Sequence, residues 1–187
     1  MIKKRVLFVI PEYSHGGTNK SLENLLHFID FTKYEVSIYS LYEDGGFLYK
    51  DIFKPYIARK SFLYVLAHDN FYTRKVMGLF IKLIPSLSYE WLYKYEANRL
   101  QKSYDVVVAF QEGSATEFVS YMHDIRNKIA WVHCDYGEWW KKNKNNSELE
   151  LYRYFHTIVT VSDSALNSFV SVYPELKNHA VCIYNTI

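Results

Sequence analysis

Residues that could carry chemistry follow several apolar runs of the sequence, each at the point where a run ends. If these runs are parallel strands of one sheet, their carboxyl ends meet at the edge where such sheets bind ligands. A histidine there can exchange a proton or bond a hydroxyl group, a carboxylate can accept a proton, and free helix N–H groups can bind an anion. The residues are His15, Gly16 and Gly17 after the first run, Glu112 and Gly113 after a central run, then His133, Asp135 and Ser162.

His133 and Glu112 are the two catalytic candidates. His133 ends the apolar run KIAWV and has Asp135 two residues further on, so it is predicted to bond a substrate hydroxyl or to exchange a proton near neutral pH. The alternative is a histidine at a strand end that is bonded to backbone. Glu112 has two interpretations. It either accepts a hydrogen bond from a ligand hydroxyl or acts as a general base, or it is a loop carboxylate exposed to solvent.

The glycine pair Gly16-Gly17 stands between the first apolar run and a helix. Glycine lets the backbone turn tightly and approach a ligand closely, and Thr18 is predicted to cap the helix. The N–H groups of the first helical turn make a candidate anion site.

Three familiar motifs are absent from the sequence: G-x-G-x-x-G, the phosphate loop G-x-x-x-x-G-K-[ST], and the nucleophile elbow G-x-S-x-G. Nicotinamide, phosphate-loop and serine hydrolase chemistries are therefore disfavoured. The pair His133 and Asp135 has no third or fourth ligand at a recognised metal-site spacing. We expect neither a metal nor a bound cofactor.

Composition predicts one globular domain. The chain has 187 residues, of which 49% are hydrophobic, and its formal net charge of +2 is too small to indicate nucleic acid binding. Cys134 and Cys182 belong to no disulfide or metal motif, and reduced thiols are typical of a cytoplasmic protein. The N-terminal apolar run is too short for a signal peptide, and no segment is long and apolar enough to span a membrane.

Buried strands that alternate with helices predict a Rossmann-like, doubly wound and mostly parallel α/β sheet. Ser162 is predicted to cap one of the helices. Two helices at 71–84 and 88–102 form an insertion whose basic and aromatic residues either pack on the sheet or lie on an anionic membrane. Residues 135–147 are predicted to be a loop, in which Trp139 and Trp140 either face a ligand or pack down onto the sheet. The predicted strands span 5–10, 34–41, 56–59, 104–110, 128–133, 156–161 and 180–184.

The order and spacing of several stretches resemble the N-terminal half of a GT-B glycosyltransferase of retaining family 4 (group 1). The stretches are RVLFVIPEYSHGGTNKSLENLL, YDVVVAFQEGSA, KIAWVHCDY, TIVTVSDSALNSFVSVYP and VCIYNTI. The resemblance implies transfer of a hexose, with retention, from a nucleotide diphosphate sugar to a saccharide or lipid-linked acceptor. The expected setting is synthesis of surface polysaccharide or glycoconjugate, usually without a bound metal.

The resemblance also implies roles for the candidate residues. Gly16 and Gly17 would lie against the donor diphosphate or the acceptor, and His133 would contact the transferred sugar. From their position at the same sheet edge, His15, Asp135 and Ser162 are predicted to bind the substrate or the donor phosphate. Glu112 and the two tryptophans would face the acceptor. The second Rossmann-like domain of the family, with its Glu-x7-Glu motif, is missing from these 187 residues, so we expect them to be inactive alone. The alternatives are a non-catalytic ligand-binding or regulatory module that uses the same crevice, and a peripheral membrane adaptor.

Overall fold

The protein contains a six-stranded, all-parallel sheet in the order β2-β1-β3-β4-β5-β6. The computed structural model describes residues 2–42, 47–61, 64–65, 75, 89–143 and 148–185. This architecture confirms the predicted Rossmann-like α/β fold. The strands are β1 (Lys4–Ile10), β2 (Tyr34–Ser40), β3 (Val106–Ala109), β4 (Lys128–Val132), β5 (Thr157–Thr160) and β6 (Ala180–Cys182).

The central strand β1 is apolar throughout its second half because both faces of the sheet there are covered. Leu7 and Val9 are fully buried on one face, and Val6, Phe8 and Ile10 are buried on the other. A strand covered on one side alone would alternate apolar with polar residues instead.

Helices cover the two faces unequally. One face packs against α1 (Gly17–Phe28) and α2 (Phe47–Phe53), whose apolar side chains join Phe8 and Ile10 in one core cluster. The opposite face carries the larger core cluster. Its helices are α3 (Tyr89–Gln101), α4 (Ser114–Ser120), α5 (Tyr136–Asn143), α6 (Glu148–Tyr152) and α7 (Asp163–Val172), with a 3-10 turn at Pro174–His179. Another 3-10 turn, Lys54–Tyr56, follows α2, and its Tyr56 packs against the cluster on the first face.

Two sequence predictions about secondary structure are wrong. The strand expected at 56–59 is a single parallel bridge between Ile57 and Ile38, because the preceding residues, including Pro55, form a 3-10 turn. Residues 136–143, expected to be part of a loop, form helix α5. The helix predicted at 88–102 is confirmed as α3, whereas most of the one predicted at 71–84 lies outside the described residues. None of the helices that the structure describes is long and apolar enough to cross a membrane.

A buried carboxylate fastens α3 to the sheet. Glu96 is completely buried, and its Oε1 accepts hydrogen bonds from the Tyr39 hydroxyl of β2 at 2.9 Å and from the backbone N–H of Ser61 at 3.0 Å. The Arg99 guanidinium donates to the same carboxylate at 2.6 Å. Burial opposes the charge, yet hydrogen bonds from Arg99 and Ser61 hold the pKa of Glu96 below its ordinary value.

Replacing Glu96 by alanine should therefore lower the free energy of unfolding by about 3 kcal/mol, because the buried Tyr39 hydroxyl and the half-buried Arg99 guanidinium lose their shared partner. Urea unfolding of the whole chain measures this loss. Glu90, on the exposed side of the same helix, pairs with Lys94 at 2.6 Å and supplies the matched control. Glu90→Ala should cost less than about 0.5 kcal/mol, and equal losses in the two variants would contradict the anchoring role of Glu96.

Candidate functional site

The candidate site lies at the carboxyl edge of the sheet, beside the point where the strand order reverses. From β1 the chain moves outward to β2 and then returns to the other side of β1 to form β3. The loops after β1 and β3 therefore lead to helices on opposite faces of the sheet, and a crevice opens between them.

The glycine pair forms the start of α1 in an unexpected way. Gly16 is the N-cap residue, in an ordinary extended conformation with φ −174°, and no side chain caps the helix. The predicted cap by Thr18 is therefore wrong. A Cβ atom built on Gly16 or Gly17 would meet nothing within 4 Å, so these glycines leave open space before the free N–H groups of the first turn.

Asn19 holds the loop that precedes α1. Its side chain is 3% exposed, and its Nδ2 donates to the carbonyl oxygens of Glu12 at 3.0 Å and Ser14 at 2.7 Å. This role was not among the predictions from the sequence, although a polar residue on the apolar face of a helix can indicate it. His15 lies on the surface of this loop, where its ring meets Tyr49 of α2 edge-on at 6.0 Å.

His133 follows β4 directly, and its ring is held among aromatic side chains. The ring centroid lies 4.8 Å from that of Phe110 and stacks on Trp131 at 6.2 Å. Burial lowers the pKa of His133 from 6.5 to about 4, so the imidazole is neutral near pH 7 and suits hydrogen bonding better than proton exchange. His133 Nε2 and Trp131 Nε1 are buried without a hydrogen-bond partner among the residues that the structure describes.

Glu112, in the loop after β3, bonds to the end of β4. Its Oε2 accepts the backbone N–H of His133 at 3.0 Å. Burial, followed by the nearby negative charge of Glu112, raises the pKa of the Cys134 thiol. The structure therefore brings Glu112 and His133 together, as the sequence predicts for residues at one sheet edge.

Asp135 and Ser162 both begin helices. Asp135 Oδ1 accepts from the backbone N–H of Glu138 at 3.2 Å and from the Ser168 hydroxyl of α7. The hydrogen bond from Ser168 is the main reason that the pKa of Asp135 lies below its ordinary value. Ser162 Oγ accepts from the N–H of Ala165 at 3.1 Å, which confirms the predicted cap of α7.

Trp139 and Trp140 lie on α5 and pack against the larger core cluster. Of the two interpretations of these residues, the structure supports packing. Trp139 lies 5.2 Å from the ring of Tyr136, and a Cβ atom on Gly113 would come within 3.8 Å of its indole.

The segment after β6 returns to α1. The Ser21 hydroxyl of α1 donates to Asn185 Oδ1 at 2.7 Å, and the Tyr184 hydroxyl donates to Asp163 at 2.6 Å. These bonds connect the segment to helices on both faces of the sheet. No sequence pattern predicts a bond between residues so far apart. Across the described part of the chain, no group of three or more His, Cys, Asp or Glu residues could hold a metal ion.

Solved structures with a similar fold include HepE of Anabaena in complex with UDP and glucose. The TM-score is 0.61 at 12% identity, and the match covers 97% of this chain and 44% of HepE. HepE in complex with UDP-glucose gives a TM-score of 0.59, also at 12% identity, over 97% of this chain and 43% of that one. An alpha-glucosyltransferase in complex with UDP-glucose and DNA containing an abasic site gives 0.52 at 15% identity, over 99% of this chain and 43% of that one. The chain thus spans less than half the length of these three structures, and likeness at such identities shows the fold alone. No protein family profile and no curated protein matches the chain.

The lowered pKa of His133 makes folding stability depend on pH. The unfolded chain binds a proton at this side chain below about pH 6.5, whereas the folded protein does so only near pH 4. The free energy of unfolding should therefore fall by up to about 3 kcal/mol as the pH drops through this window. In urea unfolding at a series of pH values, His133→Gln should lose this pH dependence of the free energy of unfolding. His123→Gln, at an exposed position, should retain it. Parallel curves for the wild-type protein and His133→Gln would rule the effect out.

Proposed function

We propose that this chain forms the acceptor-side half of a retaining GT-B glycosyltransferase that transfers a hexose from a nucleotide diphosphate sugar. The acceptor is a saccharide or a lipid-linked molecule in surface polysaccharide or glycoconjugate synthesis, and a second domain holds the nucleotide. The observation that carries the proposal is the fold likeness over 97% of this chain to a protein in complex with UDP and glucose. The free thiols of Cys134 and Cys182 agree with a cytoplasmic location.

The geometry of the carboxyl edge supports separate roles for the start of α1, which binds the anionic group, and for His133, which binds the sugar. The open space before Gly16 and Gly17 lets an anionic group approach the positive end of α1. In transfer, the bond from the anomeric carbon to the diphosphate breaks, a bond to the acceptor oxygen forms, and the acceptor proton leaves with the diphosphate. The neutral imidazole of His133 bonds a hydroxyl group of the transferred hexose at Nε2, the atom that lacks a protein partner among the described residues.

Because the donor site is shared with a second domain, the 187 residues alone should show negligible transfer from any nucleotide sugar. The full reading frame that contains them should transfer a hexose from one donor in a panel that begins with UDP-glucose. Transfer by each protein is measured as release of the nucleoside diphosphate in the presence and absence of acceptor. Robust turnover by the 187 residues alone would refute the shared cleft.

In the full protein, His133→Ala should lower kcat by about 100-fold, since one positioned hydrogen bond to the reacting sugar is lost. His123→Ala is the matched control, because His123 is exposed and precedes β4 at the opposite edge of the sheet. Circular dichroism checks that both variants fold. Wild-type turnover in folded His133→Ala would leave His133 a structural residue.

A further inference from the structure

We infer that Glu112 is a positioning residue, whose carboxylate fixes the backbone at His133 and so sets where the imidazole lies. The importance of that imidazole for transfer rests on the proposed function, whereas the bond to the backbone can be tested in this chain alone. The inference departs from a role for Glu112 as a general base or as a ligand for the acceptor.

The contacts of Glu112 are directed to the protein itself. Its Oε2 accepts the His133 N–H at 3.0 Å. A general base must offer its oxygen to a substrate proton. If Glu112 turned to do so, the N–H of His133 would lose its acceptor in a half-buried place, where an unpaired donor is costly.

The loop that carries Glu112 is itself fixed. The Thr116 hydroxyl donates to the carbonyl of Gln111 at 3.1 Å, and the N–H of Glu117 donates to the carbonyl of Gly113 at 2.9 Å. Gly113 has φ +83°, a conformation that favours glycine, and it lies beneath the Trp139 indole. Glu112 therefore extends from a rigid support, which a residue needs if it is to hold another in place.

The ring and the backbone of His133 are held by different groups. Phe110 and Trp131 confine the ring, but flat aromatic surfaces allow it to slide along them. The bond from Glu112 fixes the backbone to which the ring is attached. Together they place His133 Nε2 more narrowly than either contact alone, and placement within about 0.5 Å is what catalysis demands.

Two variants separate the bond from the charge. Glu112→Gln removes the charge but retains an oxygen that can accept the His133 N–H, whereas Glu112→Asp retains the charge but withdraws it by about 1.5 Å. In the 187-residue chain, amide exchange at His133 should be at least about tenfold faster in Glu112→Asp and nearly unchanged in Glu112→Gln. The imidazole NMR signals should likewise shift in Glu112→Asp alone. Glu117→Ala, which removes an exposed carboxylate from the adjoining helix, should leave both measurements unchanged.

The amide exchange and kinetic results together decide whether Glu112 positions His133. Unchanged exchange in Glu112→Asp, or equal acceleration in Glu112→Gln, would overturn the positioning bond whatever the enzyme does. In the full protein, Glu112→Asp should lower kcat with little change in KM. Glu112→Gln should keep most of the wild-type kcat. If kcat falls as far in Glu112→Gln as in Glu112→Asp, while amide exchange at His133 in Glu112→Gln is normal, the carboxylate acts in the chemistry and the positioning role fails. If transfer is absent in the wild-type protein, the exchange data still stand, and the proposed function alone is lost.

Discussion

Parallel pairing of all six strands is the constraint on which the rest of this molecule depends. Parallel neighbours require a crossover between each pair, so every strand must end at the same edge and release its chain there into a loop. Residues distant in sequence, such as Gly16, Glu112 and His133, therefore reach one edge without any direct attraction between them. The chemistry of the site is a consequence of this topology and of the residues placed one or two positions beyond each strand.

Most polar groups at that edge are satisfied by the protein itself. Asn19 donates to two loop carbonyls, Glu112 accepts from the end of β4, and Asp135 and Ser162 accept from the first turns of their helices. Such bonds repay the desolvation of half-buried groups and make the edge rigid. Against this background the Nε2 atom of His133 stands out, since it is buried and has no hydrogen-bond partner within the described ranges. A ligand can form a hydrogen bond to such an atom without breaking a hydrogen bond within the protein.

The strands were predictable because continuous apolar runs, bounded by polar residues and turns, are typical of strands covered on both faces. Helix α5 was not, because its apolar residues include two adjacent tryptophans among lysines and asparagines, which obscures the helical period. The cap of α1 was missed because Gly16 begins the helix without a side-chain bond. At the site, sequence predicted that Glu112 and His133 would be neighbours. It could not reveal their relation, since the 3.0 Å bond joins a side chain to a backbone N–H 21 residues away.

The bond between Ser21 and Asn185 joins residues separated by 164 positions. Ser21 is buried in α1, whereas Asn185 is exposed. A larger side chain at position 21 would therefore displace Asn185, and loss of the amide at position 185 would take this acceptor from the Ser21 hydroxyl. The size and polarity of the side chain that position 21 of α1 tolerates are thus coupled to a residue in the segment beyond β6.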